Sequence, residues 1–351
     1  MHVARYGVPA ELGDSGQAAG AIRCRLCPTE CVIGEGRDGS CRVRGNRGGR
    51  LVSLNYGVVA ASACDPVEKK PLYHFHPGGL LLSLGPPGCN LHCAFCQNWQ
   101  ISQIGEAEGR LSPEAAVAEA ERLRAQDPRV IGLAFTYTDP VVWFEYVLDT
   151  ARLARAAGLV VVLKTNGYIN PEPLAEWLPW VDALNVDIKA FSDGFYRRVC
   201  QGALQPVLDT VAAAVAAGRH VEVSHLPVPG ENDGPGELEA LCAWLGGVSP
   251  DVPLHLLRYF PNYRMGGAPT PVADLEAKRA IARAHLRHVY IAGTFRPEHA
   301  STRCAGCGAE LIRRDGFAVS WPGLDEAGRC TGCGTPAPIA GRTHAGAEAT
   351  A

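Results

Sequence analysis

The chain has 351 residues, of which 47% are hydrophobic and 20% are charged, and its formal net charge is -3. A chain of this length can hold a barrel of roughly 200 residues together with small appended modules. No apolar run reaches the ~18 residues of a membrane helix, and the N-terminus lacks the pattern of a secretory signal. We therefore expect a cytoplasmic protein. The slightly negative net charge does not favour binding to nucleic acid, and the sequence contains no block of five or more lysines and arginines.

Cysteine is the residue type that organises the sequence. The chain has 14 cysteines, most of which fall into three clusters, and in a reducing compartment such clusters indicate metal binding rather than disulfides. The remaining three stand alone, and a lone cysteine is usually a small buried residue. We interpret Cys64, Cys200 and Cys242 in this way.

The first cluster follows a lead-in of residues 1–22, in which we expect no regular structure. Cys24, Cys27, Cys31 and Cys41, here called the N-terminal cysteines, have the spacing C-x2-C-x3-C-x9-C around a glycine-rich turn. Four thiolates can complete a tetrahedral zinc site or a fully ligated iron-sulfur cluster. The spacing does not choose between zinc and a cluster.

The middle of the chain, residues 79–295, alternates strand and helix patterns after two short strands over 51–60 and a Pro- and Gly-rich connector over 65–78. Apolar runs predict strands over 80–84, 130–136, 159–164, 181–188, 219–226 and 252–259. Helical patterns cover 113–126, 141–157, 172–178, 204–217, 236–245 and 272–286. Such alternation builds right-handed βαβ units and a parallel sheet. Six units suit an incomplete barrel, to which 288–292 can add a strand, and a doubly wound open sheet is the alternative.

The second cluster lies in the loop after the first strand of this region. Cys89, Cys93 and Cys96, here called the loop cysteines, have the spacing C-x3-C-x2-C. Three thiolates can hold three irons of a cubic [4Fe-4S] cluster, whereas an ordinary ferredoxin cube uses four cysteines. One iron would then be open to a small molecule. A zinc knuckle or redox-active thiols are the alternatives.

The third cluster consists of two C-x2-C pairs, each followed by glycine. We call its members the C-terminal cysteines: Cys304, Cys307, Cys330 and Cys333. Each pair presents two thiolates on one turn, and four thiolates close a tetrahedral site, so the pattern predicts a structural zinc ribbon. The predicted divisions are the N-terminal extension 1–78, the barrel 79–295, the ribbon-like module 296–342 and a disordered tail 343–351.

Three motifs resemble the radical S-adenosylmethionine superfamily and, within it, the radical enzyme of the AmmeMemoRadiSam system. They are DPVEKKPLYHFHPG at 65–78, CQNWQIS at 96–102 and FTYTDP at 135–140. That group is related to the pyruvate formate-lyase activating enzymes. The resemblance covers nearly the whole chain and implies an α/β fold, the partial (β/α)6 radical SAM barrel, with the cluster loop after its first strand.

The resemblance also implies an activity. The open iron of the [4Fe-4S] cluster would bind S-adenosylmethionine (SAM), whose reductive cleavage gives a 5′-deoxyadenosyl radical that abstracts hydrogen from a substrate. In activating enzymes the substrate is a protein. An electron donor such as flavodoxin or ferredoxin and the other AmmeMemoRadiSam proteins are the implied partners. Hydrogen abstraction needs no general acid or base, so no catalytic side chain is assigned.

Residues at the C-terminal ends of barrel strands are the candidates for binding SAM. They are Thr138, Asp139, Asn166, Asp187, Lys189 and His255. Asp139 can accept from the SAM ammonium or simply cap a turn. Asp187 and Lys189 alternate to one face and resemble a SAM-binding pair, with a buried ion pair as the alternative. His255 can contact adenine or remain an ordinary barrel histidine.

Two other functions stay open at this point. One is a metal-stabilised electron-transfer or scaffold module, which would follow if a fourth protein ligand completed the cluster of the loop cysteines. The other is RNA modification by a radical SAM enzyme, which would need a basic groove at the barrel mouth.

Overall fold

The computed structural model describes residues 1–11, 20–105, 107, 109–294 and 296–341. The tail predicted to be disordered, 343–351, lies outside the described residues. Within the part that is described, no single helix has the length and apolar composition needed to cross a membrane.

Among the described residues, seven short strands precede the barrel. They are β1 (His2–Val3), β2 (Gly7–Pro9), β3 (Ile22–Cys24), β4 (Val32–Ile33), β5 (Arg44–Arg47), β6 (Arg50–Ser53) and β7 (Val58–Val59). Strands β1, β6 and β5 form one antiparallel sheet, and β2, β3 and β4 form another. The expectation of an irregular lead-in is therefore wrong for β1 and β2, because their backbones pair with β6 and β3. The short strands predicted over 51–60 correspond to β6 and β7.

The barrel sheet contains eight strands in the order β16-β15-β14-β13-β12-β11-β9-β8. The strands are β8 (Ala61–Pro66), β9 (Leu80–Gly85), β11 (Val130–Phe135), β12 (Val160–Thr165), β13 (Ala183–Ile188), β14 (His220–His225), β15 (Leu254–Leu257) and β16 (Val289–Ala292), while β10 (Gly109–Arg110) pairs with β7. All neighbours from β9 to β16 are parallel, and β8 is antiparallel to β9. Because neighbours follow chain order throughout, the sheet curves as a partial barrel rather than reversing as a doubly wound sheet does.

Helices connect the parallel strands on one face of the sheet. They are α1 (Pro113–Gln126), α2 (Phe144–Ala156), α3 (Pro171–Trp177), α4 (Asp193–Phe195), α5 (Gln205–Ala216), α6 (Pro235–Val248) and α7 (Val272–Ala282). Helix α1 begins at Pro113 because the Ser112 side chain accepts a hydrogen bond from Ala115 N at 3.2 Å. Helix α2 buries Phe144, Val147 and Ala151 at helical spacing, so its apolar face covers the strands. The fold thus confirms the predicted α/β barrel, and 288–292 supplies its seventh parallel strand.

The connector between β8 and β9 enters the barrel. Leu72 and Phe75 pack with inward-facing residues of β9, β11, β12 and β13. The Glu222 carboxylate on β14 accepts hydrogen bonds from the backbone N of Tyr73 at 3.0 Å and of His74 at 2.7 Å. The connector therefore fills part of the barrel interior.

The C-terminal module packs on this connector. It contains α8 (Pro297–Ala300) and the antiparallel strands β17 (Thr302–Arg303), β18 (Glu310–Asp315) and β19 (Ala318–Ser320). Arg314 is fully buried and donates to Tyr73 O at 2.5 Å and to Thr302 Oγ1 at 2.9 Å. Farther along the chain, Ala340 exchanges backbone hydrogen bonds with His74 and His76, each at 2.7 Å. These contacts tie the module to the barrel.

Candidate functional site

A cavity of about 590 Å³ opens at the C-terminal ends of the parallel strands. Its wall includes the ends of β11, β12 and β13, the last residue of β15 and the end of β16. Side chains from consecutive parallel strands converge at this edge, which is where α/β barrels bind their ligands. The cavity is therefore the candidate site.

All three loop cysteines line this cavity. The backbone N of Leu91 donates to Cys89 Sγ at 3.5 Å, and Ser102 Oγ lies 3.2 Å from Cys96 Sγ. Such hydrogen bonds orient and tune thiolate ligands of iron-sulfur clusters. Burial raises the pKa of Cys89 and of Cys96, so a metal must displace their protons when it binds. The three soft donors on one loop fit a [4Fe-4S] cluster.

A fourth cysteine, Cys200, lies behind Cys93. A hydrogen bond with the Cys200 thiol, together with burial, raises the pKa of Cys93. Cys200 is fully buried and does not belong to the cavity lining. It is the last residue of a π-helical turn, and its carbonyl oxygen accepts a hydrogen bond from His92 N at 2.9 Å. Among the described residues that line the cavity, the cysteines number three. Cys200 and Cys242 are buried as expected, whereas Cys64 is exposed on the edge strand β8.

The motif after β11 is a capped turn that also faces the cavity. The Asp139 carboxylate accepts from Val141 N at 3.0 Å and from Asn166 N at 2.6 Å, and burial raises the pKa of Asp139 to about 6. Thr138 Oγ1 donates to Pro86 O at 2.7 Å. Both side chains line the cavity while most of their hydrogen-bonding capacity holds the loops in place.

Asn166, at the end of β12, connects this turn to the loop cysteines. Its Nδ2 donates to Asn90 Oδ1 at 2.9 Å and lies 3.8 Å from Cys89 Sγ, while its Oδ1 accepts from Tyr168 N at 2.8 Å. The side chain is buried and lines the cavity. Asn166 therefore orients the loop of the cysteines, and its contact with SAM stays a prediction.

Asp187, on β13, lies between two lysines. Lys189 Nζ is 2.8 Å from one carboxylate oxygen, and Lys164 Nζ contacts the other. Burial alone would raise the pKa of Asp187, but the two ammonium groups lower it to about 2. Burial opposes the charge of Lys189, yet Asp187 and the nearby Cys93 raise its pKa. All three side chains line the cavity, so both the predicted pair and the alternative ion pair are present.

His255 lies outside the cavity lining, in contrast to the predicted contact with adenine. It is fully buried on β15, with Nε2 at 2.6 Å from Glu222 Oε2 and its ring stacked at 5.3 Å on Tyr290. The next inward residue, Leu257, does line the cavity. His255 therefore belongs to the barrel interior, and we propose no contact with SAM.

Tyr137 joins two sides of the cavity and was not among the sequence candidates. Its backbone has φ of 68°, a conformation that costs about 1–3 kcal/mol for a non-glycine residue and often marks a functional site. Its carbonyl accepts from Asn98 Nδ2 at 2.5 Å, and its hydroxyl donates to Asp65 Oδ2 at 2.8 Å. The ring lies 5.0 Å from Lys70 Nζ. Tyr137 thus holds the loop of the cysteines against the connector.

Other cavity residues that the sequence analysis missed are lysines, and the small number of lysines in the sequence is the signal that could have found them. The chain has five lysines, and four of them line this cavity: Lys69, Lys70, Lys164 and Lys189. Lys70 is 3% exposed and lies 2.8 Å from Asp65 Oδ2. Arg258 adds another cation at the mouth. Cations therefore outnumber carboxylates around the cavity.

The C-terminal cysteines form a compact group. Their Sγ atoms all lie within 4.8 Å of one another, with Cys304 and Cys333 at 3.6 Å and Cys307 and Cys330 at 3.6 Å. Four thiolates at about 2.3 Å from one zinc lie roughly 3.8 Å apart, so the group fits a tetrahedral metal ion. The N-terminal cysteines, in contrast, line a second cavity next to Asn90 and Arg44.

Comparisons with known proteins agree with this geometry. Residues 84–245 match the family model of the Radical SAM superfamily. An uncharacterized protein of Methanocaldococcus jannaschii is 41% identical over 320 residues, covering 89% of this chain and 94% of that protein. The chain belongs to the radical SAM superfamily. A GTP 3',8-cyclase of Geobacter sulfurreducens is 29% identical over 158 residues, 42% of this chain and 45% of that enzyme.

Solved structures of radical SAM enzymes are also similar to this chain. A domain of a pyruvate-formate lyase-activating enzyme from Bacteroides vulgatus has a TM-score of 0.41 and 16% identity, covering 46% of this chain and 98% of that chain. A radical SAM methyltransferase from Sphaerobacter thermophilus has a TM-score of 0.48 and 18% identity, covering 62% and 67%.

Proposed function

We propose that this radical SAM protein is an enzyme that cleaves SAM reductively and abstracts a hydrogen atom from its substrate. The observation that carries the proposal is the cavity lined by three cysteines, with Cys200 outside its lining. A [4Fe-4S] cluster held by the loop cysteines would supply the electron that breaks the sulfonium bond of SAM. Apolar side chains of Phe95, Leu226 and Leu257 line the same cavity and would shield a radical from water.

The charged groups of the cavity suit the amino acid portion of SAM. Lys189 can pair with the SAM carboxylate, and Asp187 can accept a hydrogen bond from the N–H of its amino group. Thr138, Asp139 and Asn166 would hold the loops around it. No side chain needs to act as acid or base, because the hydrogen atom is transferred to a carbon radical.

The direct test is product formation. Anaerobically reconstituted protein with dithionite and SAM should release 5′-deoxyadenosine and methionine in equal amounts. Protein that carries a full cluster on the loop cysteines but releases neither product would contradict the proposal and favour an electron-transfer or scaffold module.

Replacing Lys189 by Met should weaken SAM binding without removing the cluster. The change deletes one ammonium at similar volume, while Lys164 remains to pair with Asp187. We expect the dissociation constant of SAM to rise roughly tenfold or more, since ~1.4 kcal/mol corresponds to one decade. Isothermal titration of the reconstituted protein measures it.

Lys278→Met is the matched control, because Lys278 is the one lysine outside the described cavity lining. It should bind SAM as the wild type does, and iron content should be equal in all three proteins. If Lys189→Met melts earlier yet binds SAM with wild-type affinity, the lysine has a structural role and the assignment is wrong.

We propose further that the substrate carries an anionic group, carboxylate or phosphate, near Lys70. Two lysines, Lys69 and Lys70, share the single carboxylate of Asp65, and a desolvated cation favours an anion at short range. By resemblance to activating enzymes, the anion can belong to a protein side chain. RNA modification is not the function we favour, because the net charge of the chain is -3 and the sequence has no block of basic residues to follow a nucleic acid backbone.

Inorganic phosphate is a simple probe of this part of the cavity. Phosphate should raise the melting temperature of the wild type, and Lys70→Met should need about tenfold more phosphate for the same shift, one decade of affinity. Lys278→Met should respond as the wild type does. An equal response of all three proteins would show that Lys70 does not attract anions.

The remaining assignments follow from the resemblance and stay proposals. We infer a cytoplasmic enzyme with a reduced flavodoxin or ferredoxin as electron donor, working with the other AmmeMemoRadiSam proteins. The C-terminal cysteines are proposed to bind zinc, because their 3.6 Å spacing suits one tetrahedral ion and leaves no ligand position open. The domain limits at residues 78, 295 and 342 are likewise proposals.

A further inference from the structure

The N-terminal cysteines differ from the C-terminal cysteines in spacing. Among possible metal ligands in the described chain, only the C-terminal cysteines form a group whose ligand atoms all lie within 4.8 Å. One zinc ion holds its four thiolates roughly 3.8 Å apart. In a cubic cluster each thiolate binds its own iron, which increases the separation to about 6 Å. The wider spacing of the N-terminal cysteines, shared with the loop cysteines, therefore suits a cluster.

The N-terminal cysteines also enclose a space instead of packing together. All four line one cavity, whose wall includes the apolar side chains of Leu26, Ile33 and Val141. Soft sulfur ligands around a cavity with apolar walls are typical of a buried iron-sulfur cluster. The four thiols therefore face one common space, as the ligands of a cluster do.

Arg44 provides an independent indication of a ligand. The residue is 2% exposed and lines the same cavity. Its Nη1 and Nη2 donate to the Glu145 carboxylate at 2.9 and 3.0 Å, but its buried Nε has no hydrogen-bond partner among the described residues. A buried donor usually has a partner, and a sulfide or thiolate of a cluster would accept from this N–H.

The N-terminal site adjoins the loop cysteines. A Cβ atom built on Gly88, next to Cys89, would lie 2.9 Å from the Cys41 carbonyl oxygen, so the two backbones are in contact. Ser40 joins the sites through side chains as well. Its N donates to Cys31 Sγ at 3.4 Å, and its Oγ lies 2.8 Å from Nε2 of His92, the residue before Cys93.

We propose that the N-terminal cysteines bind a second, fully ligated [4Fe-4S] cluster that relays electrons to the cluster on the loop cysteines. A one-electron donor of the flavodoxin or ferredoxin class reduces the second cluster from the 2+ to the 1+ state. The second cluster returns to 2+ when it reduces the loop cluster by one electron, and no atom or proton is transferred. The relay rests on the proposed function, because SAM cleavage is the step that consumes the electron.

Metal analysis of the wild-type protein is the first test. Reconstituted full-length protein should contain about eight irons and eight sulfides per chain, since two cubes hold four of each. It should contain about one zinc, at the C-terminal cysteines. About four irons with about two zinc ions would overturn the proposal in favour of a zinc site.

Cys27→Ala removes one N-terminal ligand, and Cys64→Ala, at the exposed lone cysteine, is its control. In Cys27→Ala the iron content should fall by about half, because one cube of two is lost. In electron paramagnetic resonance (EPR) spectra of the reduced protein, the signal of the second cluster, which SAM does not alter, should vanish. The signal of the loop cluster, which changes when SAM binds, should remain. Reduction of the loop cluster by reduced flavodoxin should slow at least tenfold. Unchanged iron in Cys27→Ala would contradict the proposal.

The iron and zinc content of the wild-type protein is measured without any variant, so this test does not depend on whether a variant folds. It also distinguishes failure of the second cluster from failure of the proposed function. Wild-type protein with two clusters but no SAM cleavage would refute the proposed function alone. SAM cleavage by a protein with a single cluster would refute the second cluster alone.

Discussion

Replacement of Cys93 by alanine should abolish formation of 5′-deoxyadenosine, with a loss of at least about a thousandfold, because the chemistry belongs to the cofactor pair. Cys93 is one of three thiolates on the loop, and its removal leaves two ligands for a cluster that needs three. Product analysis by chromatography measures the effect. Cys89→Ala and Cys96→Ala should behave in the same way.

Cys200→Ala is the informative control for this variant. Cys200 is hydrogen-bonded to Cys93 but lies outside the cavity lining, so its loss should cost packing, about 1–3 kcal/mol of stability, and not the cluster. Loss of a cluster in Cys200→Ala would identify a fourth protein ligand and would remove the open iron. Full turnover by Cys93→Ala would refute the role of the loop cysteines.

The double variant Cys304→Ser with Cys307→Ser should unfold the C-terminal module. Its buried apolar core consists of Cys304, Leu311, Ile312, Leu324 and Cys330, which is too small to fold alone. Metal binding in such modules provides about 10–16 kcal/mol of folding free energy. We therefore expect zinc to fall by about one per chain, and we expect backbone amides of β18 and β19 to lose protection from hydrogen exchange.

The barrel should survive this change, because the connector fills the barrel with its own apolar side chains. Iron content should stay at the wild-type level. Cys64→Ser is again the control and should keep zinc and protection. Zinc that remains bound to the double variant would contradict the assignment of the C-terminal cysteines.

Sequence patterns predicted the elements that depend on local signals. Strands β9 and β11–β16 followed from short apolar runs, because strands buried on both faces of a parallel sheet are apolar throughout. The clusters of cysteines followed from spacing. The lead-in strands β1 and β2 escaped prediction, because they are two or three residues long and exist only through pairing with β6 and β3.

The alternation of residues along a strand does not predict how deep in the barrel each inward-facing side chain lies. Residues two apart on a strand point the same way, but they occupy different layers. On β13, Asp187 lines the cavity, whereas Asn185 lies beneath it and bonds to Pro71 O at 2.6 Å. On β15, His255 lies one layer below Leu257, which lines the cavity, and is therefore too deep for the predicted contact with adenine. The path of the connector through the barrel is equally non-local, so the sequence analysis missed Lys70, which the structure places in the cavity lining.

Electron–nuclear double resonance tests the open iron most directly. The reduced protein would be mixed with SAM that carries a 15N amino group or a 17O carboxylate. If the loop cysteines hold a cluster with one iron free, both labels should show hyperfine coupling to it, because the amino and carboxylate groups bind that iron. A fully occupied, reduced cluster that couples to neither label would contradict a radical SAM reaction in this cavity.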